Sequence, residues 1–125
     1  DIIGRERILF VEDEESVRGV MSELLESCGY QVVQAGTGEE GLEIMTENPD
    51  GFDLIISDVI LPGMDGPTMM REAKPYLGKA RIIFISGYAE RDLAQTLEAE
   101  QQIGFLPKPF TLRQLSERVK QELAV

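Results

Sequence analysis

The sequence contains no histidine and only one cysteine, Cys28. Without histidine, the protein has no imidazole for acid–base catalysis or for metal binding. A single cysteine excludes an internal disulfide and every metal site that is built from several cysteines. A chain this poor in cysteine fits a reducing compartment, and we therefore expect a cytoplasmic location.

Positive charge is also scarce, with 12 lysines and arginines against 23 acidic residues and a net charge of −11. Binding to nucleic acid requires a basic face that displaces counterions, so we expect no nucleic-acid partner. An anionic membrane surface would repel the chain in the same way, and no apolar run approaches the roughly 20 residues that span a bilayer. The expected partners are cations, metal ions or basic protein surfaces.

The 125 residues have the composition of one globular domain, with 42% hydrophobic and 28% charged residues. Residues 1–6 are interpreted as the end of a linker, and residues 7–125 as the domain. No signal peptide is seen before the first strand. Because the sequence starts with Asp1 and not with Met, we expect an excised piece of a longer protein.

Short apolar runs alternate with amphipathic segments along the chain. The continuous apolar run at 8–11 predicts a strand buried on both faces, and further strands are predicted at 30–35, 52–57, 81–86 and 104–106. Apolar residues at helical spacing, N-terminal capping pairs and prolines predict helices after each strand. The first helix has its apolar positions at Val17, Val20, Met21, Leu24, Leu25 and Cys28. The fourth helix, marked by Leu93 and Leu97, has the weakest pattern.

Five such units predict a parallel sheet with helices on both faces, and ligands bind beyond the carboxyl ends of its strands. Glu12 and Asp13 follow the first strand, and Asp58 follows the third. If these strands are neighbours, the carboxylates repel each other by ~4 kcal/mol per pair at about 4 Å. A cation explains such crowding better than helix capping does, and oxygen ligands suit Mg²⁺, Mn²⁺ or Ca²⁺.

Two further polar residues are predicted at the same edge, because Ser86 ends the fourth strand and Lys108 follows the fifth. Each alone is typical of a solvated surface. Together with the carboxylates they provide a metal-binding site, an ammonium group, a hydroxyl donor and a carboxylate nucleophile. This set of groups is suited to phosphoryl transfer.

Four ordered motifs resemble the receiver domain of two-component signalling: 8–14 (ILFVEDE), 53–66 (DLIISDVILPGMDG), 85–87 (ISG) and 108–110 (KPF). The resemblance covers about residues 7–124 and implies a flavodoxin-like fold with strand order 2-1-3-4-5. The segments around Ser86 and Lys108 are most similar to C-terminal receivers of cell-cycle hybrid histidine kinases.

This resemblance implies a role for each residue of the predicted site. Asp58 would accept a phosphoryl group from a phosphohistidine of the kinase core of its own protein, and would pass it to a histidine phosphotransferase. Asp13, Asp58 and the backbone carbonyl of Ile60 would bind Mg²⁺ or Mn²⁺ directly, and Glu12 would act through water. Lys108 would contact the phosphoryl oxygens. The parent kinase could be anchored in a membrane without direct contact by this domain.

The resemblance also implies a switch and a partner surface. Ser86 would close onto the phosphoryl group, Phe105 matches the switch aromatic, and the Lys108–Pro109 bond would be cis. A phosphohistidine helix would contact an apolar surface formed by Val17, Pro109 and Phe110. Bulky side chains at Ile60 and Tyr88 would flank the path of the hydrolytic water and slow the loss of phosphate.

Two other functions are considered. A Mg²⁺-dependent phosphatase with an aspartyl-phosphate intermediate would need a general acid two residues after Asp58, where this chain has Ile60. An interaction module that is never phosphorylated would lack the acidic pair, Asp58 or Lys108, and all of them are present. Treatment with Mg²⁺ and a small phosphodonor would distinguish these functions.

Overall fold

The computed structural model describes residues 6–87 and 103–124, in which strands and helices follow one another along the chain. The elements are β1 (Arg7–Val11), α1 (Glu15–Ser27), β2 (Gln31–Ala35), α2 (Gly38–Glu47), β3 (Leu54–Asp58), α3 (Gly66–Glu72), a 3₁₀ turn (Lys74–Tyr76), β4 (Arg81–Ser86), β5 (Ile103–Pro107) and α4 (Leu112–Leu123). The helix predicted around Leu93 and Leu97 lies outside the described residues.

The five strands form one parallel sheet in the order β2-β1-β3-β4-β5. This order confirms the predicted flavodoxin-like fold. In the register of the sheet, Val11 lies opposite Ser57, and Asp58 lies opposite Ile85. The residues that follow β1, β3 and β4 therefore meet at one edge, which we call the carboxyl edge. The opposite end is called the amino edge.

Each face of the sheet carries a separate hydrophobic core. Leu9 and Val11 pack with α2 and α3, whereas Ile8 and Phe10 point to the other side and pack with Leu25 of α1. All four of these β1 side chains are fully buried. This explains why the strand has a continuous apolar run instead of an alternating one.

The helices begin largely as the sequence predicts. The Thr111 and Gln114 pair forms a complete capping box at the start of α4. Thr37 caps α2 by accepting a hydrogen bond from the backbone N–H of Glu40. The reciprocal bond of a capping box is replaced, because the Glu40 side chain accepts from the N–H of Gly36.

The buried face of α1 is narrower than its apolar pattern predicts. Val20 is 51% exposed and Cys28 is exposed, although both were expected to pack inward. Leu25 is fully buried, and so is the polar Ser22. The helix contacts the sheet along one narrow stripe, so apolar residues beside that stripe remain on the surface. Within the described ranges, no helix is long and apolar enough to cross a membrane.

Candidate functional site

Three carboxylates meet at the carboxyl edge of the sheet. Glu12 and Asp13 follow β1, Asp58 ends β3, and one carboxylate oxygen from each lies within 4.8 Å of the others. Glu12 and Asp58 are buried, with 7% and 3% of their surface exposed, while Asp13 is exposed. The pairing of β1 with β3 produces this cluster from residues that are 45 positions apart in sequence.

Asp58 is the least satisfied of the three. Its Oδ1 atom is buried without a hydrogen-bond partner, and the Nζ atom of Lys108 lies 3.5 Å away. Burial, the hydrogen bond with Glu12 and the negative charge of Glu12 together raise the pKa of Asp58 to about 8. Lys108 acts in the opposite direction but does not compensate for these effects. The side chains of the site therefore do not stabilise the ionised form of Asp58.

The donor set of this cluster fits a hard divalent cation. Its ligand atoms are carboxylate oxygens, which Mg²⁺ and Mn²⁺ prefer. A cation at this position would also give the unpartnered Oδ1 atom of Asp58 a partner. A buried polar atom without a partner is uncommon, and binding of an ion or ligand is one of the explanations for such an atom.

Lys108 and Ser86 lie at the same edge, because Lys108 directly follows β5 and Ser86 is the last residue of β4. The backbone N–H of Lys108 donates to the carbonyl oxygen of Ser86 at 2.9 Å, which holds the loop after β5 against β4. The peptide bond between Lys108 and Pro109 is cis. Ser86 is buried, and the Lys108 side chain is 48% exposed, so its ammonium group is accessible from solvent.

The other predicted residues are distributed around this centre. Ile60 lies two residues beyond Asp58 and is 51% exposed. Phe105 in β5 is buried, and the centre of its ring is 6.2 Å from that of Phe84. Tyr88, which was predicted to affect the lifetime of the phosphate, lies outside the described residues.

An open cleft lies beside the carboxylates, with a volume of about 330 Å³. Val17, Pro109 and Phe110 all line it, so the structure brings together the three residues of the predicted partner surface. Val17 is half-buried, whereas Pro109 is exposed. Glu12 and Lys108 also line the cleft, which therefore opens directly onto the acidic cluster.

Two residues of the site's surroundings were not found from the sequence. The Nη1 atom of Arg18 donates to the carbonyl oxygen of Glu12 at 2.7 Å, and the Glu39 carboxylate accepts from the N–H of Met64 at 3.1 Å. The sequence does distinguish Arg18, because it is the only basic residue between Arg7 and Arg71. Glu39 carries no comparable signal.

Comparison with known proteins finds relatives that agree with the fold and with the motifs of the site. The chain is 46% identical over 123 residues to the sensor kinase CckA of Brucella abortus, covering 98% of this chain and 13% of that protein. It is 33% identical to sporulation initiation phosphotransferase F of Bacillus subtilis, covering 94% of both chains. The crystal structure of the receiver domain from hybrid histidine kinase CckA superposes with a TM-score of 0.80 at 49% identity, covering 94% of this chain and 98% of that one.

The family of response regulator receiver domains matches residues 8–120. This range contains β2 to β5, all of β1 except Arg7, and every residue of the acidic cluster. Together with the sheet order and the relatives, it identifies the chain as a member of the response regulator receiver domain family.

Proposed function

We propose that this domain is a phosphorelay receiver that accepts a phosphoryl group on Asp58 and passes it to a histidine phosphotransferase. The observation that carries the proposal is the buried and unpartnered Oδ1 atom of Asp58, between two other carboxylates and the ammonium group of Lys108. A carboxyl oxygen that makes no structural hydrogen bond is available to act as a nucleophile.

In the proposed reaction, a carboxylate oxygen of Asp58 attacks the phosphorus atom of a phosphohistidine. The new O–P bond forms as the N–P bond breaks, and the electron pair of the N–P bond returns to the imidazole nitrogen. Lys108 is positioned to attract the phosphoryl oxygens, and the Ser86 hydroxyl is proposed to donate a hydrogen bond to one of them. Passing the group to another histidine reverses these steps.

Mg²⁺ is the proposed cofactor, with Mn²⁺ as its substitute. Asp13, Asp58 and the backbone carbonyl of Ile60 would hold the ion directly, and Glu12 would hold it through water. When bound, the ion neutralises negative charge that develops on the phosphoryl oxygens. The crowding of Glu12, Asp13 and Asp58 supports this assignment.

The proposed phosphodonor is the histidine kinase core of the same protein. The similarity to the sensor kinase CckA supports this arrangement, and the chain spans 13% of the length of that relative. The similarity to a sporulation phosphotransferase that the chain covers almost completely supports onward transfer. We propose that Val17, Pro109 and Phe110 receive the phosphohistidine helix, that Phe105 responds to phosphorylation, and that the domain acts in the cytoplasm.

The proposal is tested by incubating the domain with Mg²⁺ and acetyl phosphate and recording its intact mass. We expect one added phosphoryl group that survives in acid and is released in base. Asp58→Asn keeps the shape of the side chain without its charge and should yield no adduct, as should EDTA treatment of the natural sequence.

Three results would overturn this assignment. Full phosphorylation of Asp58→Asn would place the acceptor elsewhere. Rapid turnover of acetyl phosphate without an accumulating adduct would indicate a phosphatase. The absence of both adduct and turnover, in a folded domain with Mg²⁺ present, would indicate an interaction module that is not phosphorylated.

A further inference from the structure

Arg18 lies near the start of α1 and connects this helix to the ends of β1 and β2 beside the acidic cluster. From α1, its Nη1 atom donates to the backbone carbonyl of Glu12 at 2.7 Å, and its Nε atom donates to the Gln34 side chain in β2 at 3.2 Å. The backbone N–H of Glu12 donates in turn to the carbonyl of Ala35 at 3.0 Å. The ends of β1 and β2 are therefore tied to each other and to α1.

The carbonyl that Arg18 holds belongs to the peptide unit between Glu12 and Asp13. Both side chains belong to the acidic cluster, and a planar peptide rotates as one body. Fixing its oxygen therefore restricts the directions in which Glu12 and Asp13 leave the backbone. A hydrogen bond from a charged donor is stronger than a neutral one, and its donor is half-buried here, which makes the restraint effective.

The surroundings of Arg18 leave room for its guanidinium group. A Cβ atom added to Gly36 would lie 3.1 Å from the Nη1 atom of Arg18, which is closer than ordinary van der Waals contact. Arg18 is also the only basic residue between Arg7 and Arg71, in a part of the chain that is rich in acidic residues. A guanidinium group at this point therefore has a defined place and no basic neighbour in sequence to replace it.

We propose that Arg18 is a positioning residue for the divalent-cation site, and that it acts by orienting the Glu12–Asp13 peptide. This inference rests on the proposed function, because it assumes that the acidic cluster binds Mg²⁺. Arg18 itself touches neither the cation nor the phosphoryl group in this account. Its contribution is geometric, in the manner of outer residues that orient metal ligands.

The proposal and simple electrostatics predict opposite changes in Mg²⁺ affinity when Arg18 is replaced by an uncharged residue. Removing a positive charge beside an acidic cluster should tighten Mg²⁺ binding if charge alone matters. If Arg18 positions the ligands, Arg18→Met should weaken Mg²⁺ binding by about tenfold. Arg18→Lys keeps the charge but loses the planar fork of donors, and it should also weaken binding, though less.

The experiment is a Mg²⁺ titration of the domain followed by NMR, together with unfolding midpoints in EDTA and in saturating Mg²⁺. Arg71→Met is the matched control, because Arg71 is an exposed arginine of α3 that donates to the Thr68 hydroxyl of the same helix. A purely structural role for Arg18 would lower both midpoints equally. The positioning role reduces the stabilisation that Mg²⁺ adds.

Gly36→Ala disturbs the same guanidinium group from the opposite side and should weaken Mg²⁺ binding by about threefold. In the double variant with Arg18→Met, the alanine should add little, because residues that act through one contact are not additive. With acetyl phosphate, the Mg²⁺ concentration for half-maximal phosphorylation should rise in the single variants, while the rate at saturating Mg²⁺ stays within about twofold.

The outcomes separate this inference from the proposed function. If the natural sequence binds no Mg²⁺, the proposed function fails first. If it binds Mg²⁺ and Arg18→Met binds equally well or more tightly, the positioning role is wrong while the receiver assignment stands. Additive effects in the double variant would also overturn the positioning role.

Discussion

The two edges of the sheet each bury a carboxylate, and they treat it in opposite ways. At the amino edge, Glu122 of α4 is 7% exposed and lies 2.8 Å from Arg81 and 3.2 Å from Arg118. At the carboxyl edge, Asp58 is 3% exposed, its Oδ1 atom has no hydrogen bond, and Lys108 lies 3.5 Å away.

The comparison distinguishes a buried carboxylate that is paired with basic side chains from one whose burial supports the proposed function. Arg118 also donates to the backbone carbonyl of Phe105, so the paired charges at the amino edge fasten α4 to β5. At the carboxyl edge, the neighbours of Asp58 do not stabilise its ionised form, which supports the proposed binding of a cation and the proposed role of Asp58 as phosphoryl acceptor. A strongly perturbed carboxylate beside a cleft is typical of functional sites.

The largest expected effect is at the amino edge. Glu122→Ala leaves Arg81 and Arg118 without their shared partner, and we expect the free energy of unfolding to fall by ~3 kcal/mol in urea denaturation. Glu117→Ala is the control, since Glu117 and its partner Arg113 are largely exposed and should matter by less than about 0.5 kcal/mol. An equal fall in the free energy of unfolding in both variants would contradict the view that the buried, paired Glu122 stabilises the fold more than the exposed Glu117 does.

The next effect is a gain in stability at the carboxyl edge. The native pKa of Asp58, about 8, lies above the ordinary value of 3.8, so its protonated form stabilises the fold. That contribution is complete below pH 3.8 and is lost as the pH rises through 8. In EDTA, Asp58→Asn should therefore exceed the natural sequence in stability by ~2 kcal/mol at high pH, with a smaller difference at pH 5. Urea denaturation at several pH values would measure this, and a difference that shrinks with rising pH would contradict it.

The partner surface is expected to show an effect of about tenfold, since a central apolar contact is lost. Val17→Asp should reduce phosphotransfer from a phosphorylated histidine phosphotransferase by that factor and leave phosphorylation by acetyl phosphate unchanged. Val20→Asp is the matched control, because Val20 is on the same helix and is not among the residues that line the cleft. Equal loss with both phosphodonors would mean that Val17 supports the fold.

The smallest effect concerns the lifetime of the phosphate. Ile60→Asn replaces an exposed apolar side chain beside Asp58 with a polar one, which should admit water and shorten the lifetime by about threefold. A small residue in place of Tyr88 should act in the same direction. Val20→Asn is the control, because Val20 is equally exposed, at 51%. The measurement is the decay of the intact-mass adduct, and unchanged decay in both site variants would remove them from the water path.

Much of the fold could be predicted from the sequence because its signals are local. The apolar run at Ile8–Val11 and the capping pair of Thr111 and Gln114 specify their elements without distant partners. The limit appears at Val20, where helical spacing cannot distinguish a residue that packs on the sheet from one that stays on the surface.

The acidic cluster could also be predicted, because parallel strands place their carboxyl ends at one edge. The contacts that hold its loops could not. Glu39 and Met64 are 25 residues apart, and their hydrogen bond depends on how α2 approaches the loop after β3. The hydrogen bond from Arg18 goes to the backbone carbonyl of Glu12. Because every residue has a backbone carbonyl, the residue type at position 12 does not predict this contact.

The central claim is that the Oδ1 atom of Asp58 is buried without a hydrogen bond so that a cation and a phosphoryl group can bind there. Its most direct test is calorimetry of Mg²⁺ binding at pH 7 in buffers of different ionisation enthalpy, which counts the protons released. With a pKa of about 8, Asp58 is mostly protonated before binding, so we predict release of close to one proton per ion. Asp58→Asn should release almost none. Mg²⁺ binding by the natural sequence without proton release would contradict the account of this edge.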